Sequence, residues 1–253
     1  MKSSVERRSD ILALLQQTNS QRVEVLAQHF GVSSVTIRSD LNALEQQGYI
    51  TRSHGFAVLK SRLIAELSIA DKRNHYPELK QRIGKIAATL LHNGERIILD
   101  SGTTTKAIVS YIDSLNLTVL TNGLDVAMAL VACPNVEVRM TGGVLRKNAM
   151  SFSGVMADNN LRYNRFDKVF LGVDGFDLHK GVTTFNEQEA HLNRLMCEAA
   201  DQVIVVTDSS KFGQYSDFVI CQANQIDVLV TDDQLPRNYH EYLENAGVTV
   251  LIA

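Results

Sequence analysis

Residues 22–57 read RVEVLAQHFGVSSVTIRSDLNALEQQGYITRSHGFA, and this stretch decides the fold of the N-terminal part of the chain. Its apolar spacing predicts a short helix that ends at Phe30 and a second helix over 34–47. Between them, Gly31 can take the left-handed conformation that ends a helix. Ser33 can then accept backbone N–H bonds as the N-cap of the second helix.

Two extended runs follow, at 49–53 and 56–59, and they predict a small hairpin, or wing. An amphipathic pattern over 6–17 predicts a further helix ahead of the quoted stretch. Three helices, a glycine-containing turn and a hairpin together predict a winged helix-turn-helix domain over 1–60, a fold that binds DNA through its last helix.

The helix over 34–47 has two contrasting faces. Ile37, Leu41 and Leu44 share an apolar face, whereas the opposite face carries arginine for guanine, asparagine for adenine and a small apolar group for a thymine methyl. A solvated helix face would look the same in isolation, but the order of helix, turn, helix and wing favours DNA binding. We predict that operator double-stranded DNA is bound by Ser34, Val35, Thr36, Arg38, Ser39, Asn42, Arg52 and His54.

The same stretch resembles the signature of DeoR-type transcriptional repressors, LA-x-x-F-x-VS-x-x-TIR-x-DL-x-x-LE-x-x-G-x-x-x-R-x-HGGA. The matching positions are Leu26, Ala27, Phe30, Val32, Ser33, Thr36, Ile37, Arg38, Asp40, Leu41, Leu44, Glu45, Gly48, Arg52, His54 and Gly55. This chain departs from the pattern at Phe56, where the family has a second glycine, and at Ser39, where arginine is common.

Composition limits the remaining possibilities. The chain has 253 residues, of which 45% are hydrophobic and 21% charged, so it can bury a core. It has neither an apolar run of about 18 residues nor the apolar core of a signal peptide, so we predict a cytoplasmic protein with no membrane partner. The separated cysteines Cys133, Cys197 and Cys221 are predicted to be reduced thiols.

Charge is distributed unevenly along the chain. Residues 1–60 contain seven Lys and Arg against five Asp and Glu, whereas the remainder has a net charge of −5. A mildly basic head on an acidic body suits a DNA-binding domain joined to a body that repels DNA.

From Pro77 onward, helical patterns alternate with short apolar strands, after a charged linker predicted at 61–76. Helices are predicted at 77–94, 104–114, 124–132, 187–200 and 239–246. Strands are predicted at 97–100, 119–121, 136–140, 169–172, 203–207, 228–231 and 248–252. This alternation predicts an α/β domain over 77–253 with an open, mainly parallel sheet covered on both faces.

Four loops follow predicted strands, at 100–105, 121–123, 141–143 and 172–175. Ligands of open parallel sheets bind outside the carboxyl ends of the strands, where all four loops would lie. Each loop alone could be an ordinary turn or cap, but their convergence favours a site for a phosphorylated sugar. From these loops and nearby polar groups we select Thr121, Asn122, Gly142, Gly143, Arg146 and Lys211, together with the phosphate cradle Asp100, Ser101, Gly102, Thr103, Thr104 and Thr105.

No nucleotide cofactor and no metal are predicted. The Gly102 loop lacks the GKS or GKT of a P-loop, and it is not a GxGxxG fingerprint.

The second half also resembles the effector domain of DeoR-type regulators. The resemblance lies in ILDSGTTT, LTNGLDVA, TGGVLR, LGVDGFD, GVTTFNEQEA and VVTDSSKF, at 98–105, 120–127, 141–146, 171–177, 181–190 and 205–212. It implies a fold similar to that of ribose-5-phosphate isomerase and sugar-phosphate deaminases, and a phosphosugar inducer that releases the repressor from DNA. It also implies that Asp174, Asp177, Glu187 and Lys211 lie near the sugar. Residues 183–212 look most like the branch that controls N-acetylgalactosamine and galactosamine use.

Two other classes of function remain open at this point. A sugar-phosphate isomerase or deaminase would need a carboxylate for proton transfer, which Asp174, Asp177 or Glu187 could supply. However, Lys180-Gly181 continues as Val-Thr-Thr, and the glycine run of the isomerase is missing. A protein-binding module is the other alternative. We predict a repressor and not an enzyme, and we expect a homo-oligomer, a dimer or tetramer, because helix-turn-helix proteins read paired half-sites.

Overall fold

The computed structural model describes residues 4–18, 20–46, 49–53, 55–59 and 66–253. It divides into two compact units, Met1–Tyr76 and Pro77–Ala253. No helix in the described part of the chain combines the length and the apolar character that crossing a membrane requires.

The first unit is a winged helix-turn-helix. Its elements in chain order are α1 (Ser4–Thr18), β1 (Ser20–Arg22), α2 (Val23–Phe30), α3 (Ser34–Gln46), β2 (Ile50–Ser53), β3 (Phe56–Leu59) and α4 (Ile69–Asn74). Strands β1, β3 and β2 form an antiparallel sheet in that order. The three helices and the two strands of the wing confirm the prediction. Strand β1 was not predicted, because Ser-Gln-Arg has no apolar residue to mark it.

The turn between α2 and α3 follows the predicted chemistry. Gly31 has a φ of 63°, and the N–H of Val32 donates to the carbonyl of Ala27 at 3.1 Å, which closes the end of α2. Ser33 Oγ accepts the N–H of Thr36 at 3.1 Å and so caps α3. The helices meet over a core formed mainly by Ile11, Leu12, Leu15, Val23, Leu26, Ile37, Leu41, Leu44 and Ile50.

The predicted linker lies partly outside the described residues, at 61–65. Residues 66–76 belong to the first unit. Leu67 packs against its core, and the Tyr76 hydroxyl donates to Asp10 Oδ1 at 2.9 Å. Ser68 caps α4 by accepting the N–H of Asp71 at 3.2 Å.

The second unit is an α/β domain. Its elements are α5 (Pro77–Ala88), β4 (Arg96–Leu99), α6 (Thr103–Ile108), β5 (Leu117–Thr121), α7 (Leu124–Leu130), β6 (Val136–Met140), β7 (Val144–Arg146), β8 (Ser151–Ser153), α8 (Val155–Arg162), β9 (Phe166–Gly172), β10 (Gly175–Asp177), β11 (Gly181–Thr184), α9 (Glu187–Ala199), β12 (Ala200–Val206), β13 (Phe218–Cys221), β14 (Val228–Thr231), α10 (Arg237–Asn245) and β15 (Thr249–Ile252).

Seven strands form a parallel sheet in the order β15-β14-β12-β9-β4-β5-β6. All seven were predicted, because strands buried on both faces read as continuous apolar runs. On one face, Ile97, Val119 and Phe170 belong to the core that α5, α6 and α7 cover. On the other face, Ile98 and Leu120 pack with residues of α8 and α9.

Several short elements were not predicted. These are α8, the hairpin β7–β8 and the small antiparallel sheet β10-β11-β13. Two predicted helices also end early. The helix predicted over 77–94 ends at Ala88, because the N–H groups of residues 89–91 bond three residues back and tighten the chain into turns. The helix predicted over 104–114 is α6 followed by a 3-10 turn at Val109–Tyr111.

Candidate functional site

The recognition helix α3 presents a polar surface opposite its buried face. Ile37, Leu41 and Leu44 are buried, whereas Arg38, Ser39 and Asn42 are exposed. Val35 is 73% exposed, which is unusual for a valine in a small domain. Ser34 and Thr36 are half-buried in the first turn, beside the cap. The predicted groove-facing side chains therefore share one accessible surface.

A buried ion pair holds α3 against α1. Arg7 Nε lies 2.6 Å from Asp40 Oδ2, and Arg8 Nε lies 3.4 Å from Asp40 Oδ1. Arg7 and Asp40 are both buried, so the ion pair replaces part of the hydration that each charge loses on folding. Asp40 belongs to the sequence motif, but the sequence alone did not assign it this role.

The wing is bonded to the recognition helix through Arg52. Its backbone N–H donates to Glu45 Oε1 at 2.9 Å, and its guanidinium Nη1 donates to Asn42 Oδ1. Arg52 is exposed, and its bond to Asn42 places it next to the predicted DNA-reading surface. His54, the other predicted wing contact, lies outside the described residues.

The departure at Phe56 leaves the hairpin register intact. Phe56 pairs with Ser53 across the wing, and the Arg22 guanidinium lies 5.0 Å from the centre of its ring. Gly55 supplies the positive φ, 84°, just before it.

In the second unit, loops from three neighbouring strands meet at the carboxyl edge of the sheet. The N–H of Ser101, after β4, donates to Asn122 Oδ1, after β5, at 2.7 Å. A Cβ added to Gly123 would lie 3.0 Å from Ser101 Cα, so glycine at this position lets the two loops approach closely.

The loop at 100–105 turns sharply at Gly102, whose φ is 146°. Thr105 Oγ1 donates to the Gly102 carbonyl at 3.0 Å, and Thr104 and Thr105 are buried. Ser101, Gly102 and Thr103 are half-buried, so the loop offers its first residues to a ligand and uses its last two for packing.

Asn122 is the most constrained polar residue of this edge. Its backbone carbonyl accepts the N–H of Phe152 at 2.7 Å, and its Oδ1 accepts that of Ser101. Its side-chain Nδ2 is buried and has no hydrogen-bond partner among the described residues, although it lies near enough to the Asp100 carboxyl to lower that pKa. A buried donor without a partner is costly, so this amide is a candidate contact for a ligand.

Asp100 lies in a buried acidic cluster. Burial and, after it, the charge of Glu189 raise its pKa to about 7, against the lowering effect of the nearby Asn122 amide and of bonds from Ser101 and Asn193. Asn193 Nδ2 donates to Asp100 Oδ2 at 3.2 Å. At neutral pH this carboxyl is therefore divided between its protonated and ionised forms.

Glu189 connects this cluster to the β7–β8 hairpin. Arg146 Nη1 lies 2.5 Å from Glu189 Oε1, which also accepts a bond from the Ser151 hydroxyl. Asn186 caps α9 by accepting the N–H of Glu189 at 3.1 Å. Sequence reasoning missed Glu189, Asn193 and Ser151. The available signal was the pair Glu189 and Asn193 at i and i+4 among the apolar residues of α9.

The other predicted residues have more varied surroundings. Thr121 is buried, and its Oγ1 accepts the N–H of Gly123 at 3.0 Å. Gly142 and Gly143 have φ values of 67° and 106°. A Cβ on Gly143 would lie 2.4 Å from the Ser153 carbonyl, so this glycine serves the close packing of the hairpin.

Three predicted residues lie around β10 and β11. Asp174 accepts the Thr184 hydroxyl at 2.9 Å. Asp177 accepts the N–H groups of His179 and Lys180 at 2.9 and 3.0 Å, as a turn cap does. Lys211 is half-buried at the end of a 3-10 turn that follows β12. Among the described residues, no bond or ion pair joins Asp177 or Lys211 to the Asp100 cluster.

Glu187 is exposed in the first turn of α9, and within the described residues it makes no hydrogen bond or ion pair. The buried carboxylate of this helix is Glu189, two residues later. Across the same described residues, no group of three or more His, Cys, Asp and Glu side chains is placed to hold a metal ion.

Comparison with known proteins defines the class to which this architecture belongs. The family described as "DeoR-like helix-turn-helix domain" matches residues 7–62, and "DeoR C terminal sensor domain" matches residues 75–233. The chain thus pairs a DNA-binding head with a sensor domain, the plan of a transcriptional regulator. It belongs to the DeoR family, which confirms the resemblance seen in the sequence, and the family consists of regulators and not enzymes.

Two relatives match along almost their whole length. The chain is 43% identical over 250 residues to the Escherichia coli O157:H7 protein named "Putative aga operon transcriptional repressor", covering 98% of this chain and 93% of that one. It is 35% identical to "HTH-type transcriptional regulator GolR" of Listeria innocua, covering 98% of both.

Among solved structures, ribose 5-phosphate isomerase A from Methanocaldococcus jannaschii matches with a TM-score of 0.40 and 15% identity, over 54% of each chain. A likeness of this strength bears on neither chemistry nor partners.

Proposed function

We propose that this regulator represses a sugar-utilisation operon and that a phosphorylated amino sugar releases it from operator DNA. The observation that carries the effector part is the buried Nδ2 of Asn122, which lacks a partner within the described residues at the meeting point of three loops. The relative that is 43% identical is named as a transcriptional repressor, which supports repression as the mode of regulation.

We assign the phosphate to the loop at 100–105 and the sugar to the surrounding residues. Ser101, Gly102 and Thr103 would face the phosphate oxygens, and the Asn122 amide would donate to the ligand. The side chains or backbones of Asp100, Thr104, Thr105, Thr121, Gly142, Gly143, Arg146, Asp174, Asp177, Glu187 and Lys211 complete the proposed site. Asp177 and Glu187 are the weakest members, since one caps a turn and the other is exposed.

An amine on the sugar suits the buried acidic cluster. Asp100 and Glu189 place two carboxyls at this edge, and the Arg146 guanidinium pairs with Glu189. An ammonium group beside Asp100 would favour the ionised carboxylate and so lower the pKa that burial and Glu189 raise. The relative named for the aga operon supports the same choice of ligand.

On the DNA side, we propose that α3 lies in the major groove. Arg38 and Asn42 would contact base edges, Val35 a thymine methyl, and Ser34, Thr36 and Ser39 neighbouring polar groups. Arg52 and His54 of the wing would reach the backbone or minor groove. We also propose a DNA-binding head over 1–60, a linker over 61–76 of which residues 66–76 pack with the head, and a sensor domain over 77–253. A cytoplasmic location and a homo-oligomer in which effector binding moves paired DNA-binding heads complete the proposal. A coupling of about 1–3 kcal/mol is typical of such switches.

The test is binding of the purified chain to its own upstream DNA during titration with galactosamine-6-phosphate. N-acetylgalactosamine-6-phosphate tests whether a free amine is needed, and glucosamine-6-phosphate tests whether the configuration at C4 matters. Galactosamine tests whether the phosphate is needed. We expect release by galactosamine-6-phosphate alone or most strongly. Release by none of the phosphates would overturn the effector assignment, and absence of specific DNA binding would overturn the repressor assignment.

A further inference from the structure

Strand β6 forms one edge of the seven-stranded sheet. In the described part of the chain it pairs with β5 on one side and with no strand on the other. The N–H of Thr141, directly after β6, donates to the Thr121 carbonyl at 3.0 Å. Because backbone groups alternate along a strand, those of Arg139 and Glu137 also face β5, and those of Val138 and Met140 face outward. An edge of this kind can accept another strand.

The exposed charges on β6 are complementary to a second copy of themselves. Glu137 and Arg139 are both exposed, one residue on each side of Val138, and within the chain Arg139 Nη2 lies 2.9 Å from Glu137 Oε1, a pair that can be exchanged for pairs with a second copy. If two β6 strands pair in antiparallel fashion around a two-fold axis at Val138, Glu137 lies opposite Arg139 of the partner subunit, and Arg139 lies opposite the partner's Glu137. Directly opposite side chains point to the same face, so both pairs can form. Val138 would then exchange two N–H···O bonds with its equivalent.

Exposed apolar side chains flank this edge on both faces of the sheet. Helix α7 packs on β5 and β6, with α6 on its inner side, and it exposes Met128 and Val131 at an i, i+3 spacing. Val131 is 81% exposed. Large exposed apolar side chains that cluster in one region mark interaction surfaces.

On the opposite face, α8 carries a matching stripe. Met156, Asn160 and Tyr163 follow one another at i, i+4 and i+7, and Tyr163 is 88% exposed. Asn160 Nδ2 donates to the Thr141 carbonyl at 2.8 Å, which places this stripe beside the end of β6.

We propose that two copies of the chain associate through the β6 edge surface, defined as β6 with Met128, Val131, Met156 and Tyr163, around a two-fold axis at Val138. The surface is self-complementary in charge and in backbone hydrogen bonding, which is the property that an isologous interface requires. This surface supplies an interface for the homo-oligomer of the proposed function, and the inference depends on that homo-oligomer.

The first test removes the outward N–H of the strand. In Val138→Pro the lost donor faces away from β5, a position where an edge strand tolerates proline. Ile252→Pro is the matched control on the opposite edge. Ala253 donates inward to Thr231 of β14 and Thr249 to Asp227 just before it, so Ile252 faces outward. We expect sedimentation velocity of the full chain to show a halved particle mass for Val138→Pro and an unchanged mass for Ile252→Pro.

The second test reverses the charges, which also breaks the ion pair between Arg139 and Glu137 within the strand. Glu137→Arg places like charges opposite each other and is expected to weaken dimerisation about tenfold, which corresponds to roughly 1.4 kcal/mol. Glu137→Arg with Arg139→Glu restores opposite pairs and is expected to restore the affinity. If the wild-type chain is monomeric at tens of micromolar, the proposal of a homo-oligomer is wrong. An unchanged mass in Val138→Pro would overturn this surface, and failure of the double exchange to restore dimerisation would overturn the register.

Discussion

The two units use polar residues in opposite ways. In the first unit, the candidate functional side chains of α3 are exposed, and a single buried ion pair between Arg7 and Asp40 supports them from behind. In the second unit, the polar groups at the centre of the candidate site, Asp100, Asn122 and Glu189, are themselves buried. The candidate DNA-reading surface is thus already exposed to a ligand, whereas the candidate sensor site includes a buried donor, Asn122 Nδ2, that has no partner among the described residues.

The largest effect is expected when the support of the recognition helix is removed. Asp40→Ala removes the buried carboxylate that Arg7 and Arg8 share, which costs about 3–5 kcal/mol of the free energy of unfolding. Urea unfolding followed by circular dichroism measures this, since the chain has no tryptophan. Gln46→Ala, an exposed position on the same helix, is the control. A loss below about 1 kcal/mol for Asp40→Ala would contradict the buried-pair account.

The next effect concerns the sensor. Ser101→Asp places a carboxylate in the half-buried loop that we assign to the phosphate. Two like charges about 4 Å apart repel by roughly 4 kcal/mol at an effective dielectric constant of 20, so effector affinity falls at least 100-fold. Calorimetric titration with the effector measures this loss, and operator binding without effector stays unchanged. Ser110→Asp, on an exposed residue beyond α6, is the control. Normal release in Ser101→Asp would move the phosphate elsewhere.

A smaller effect is expected on the exposed surface of α3. Arg38→Ala removes one base contact and costs about 1–3 kcal/mol of specific binding, with relaxed preference at one base pair. Gel-shift titrations against a set of single-base operator variants measure both. Arg237→Ala, an exposed arginine of α10, is the control for lost positive charge. Equal losses for the two variants would show that only net charge matters.

The smallest effect is a dependence of stability on pH. Asp100 has its pKa raised to about 7 in the folded chain, so the folded state binds the proton more tightly than the unfolded state. Its contribution to stability is therefore fully present below the unfolded pKa of about 4, is lost as pH rises from there to about 7, and stays lost above that, with a slope of at most about 1.4 kcal/mol per pH unit. Urea unfolding of wild type and Asp100→Asn from pH 5 to 8 isolates this slope. Asp233→Asn, an exposed carboxyl, is the control, and parallel curves for wild type and Asp100→Asn would exclude the shift.

The two units also differ in how much of each could be predicted from the sequence. The groove-facing residues of α3 lie within nine positions, and helical periodicity alone separates them from Ile37 and Leu41. The seven parallel strands also have local signals. The acidic cluster joins Asp100 to Glu189 and Asn193, which are about ninety positions away, so no local pattern predicts their contact. Glu187 was chosen from the motif, yet the helix cap turns Glu189 inward. The three-residue strands are too short to show any periodicity.

Because the Arg7–Asp40 pair is buried, the ionic strength of the cell affects the folding of the DNA-binding unit and its contacts with DNA differently. A pair removed from water is screened only weakly by salt, so the head stays folded when potassium accumulates during osmotic stress. Contacts with DNA phosphates weaken steeply under the same conditions, because bound counterions are no longer released with the same gain in entropy. Operator occupancy would then fall while the amount of folded regulator stays constant, and the genes would be partly derepressed with no sugar present.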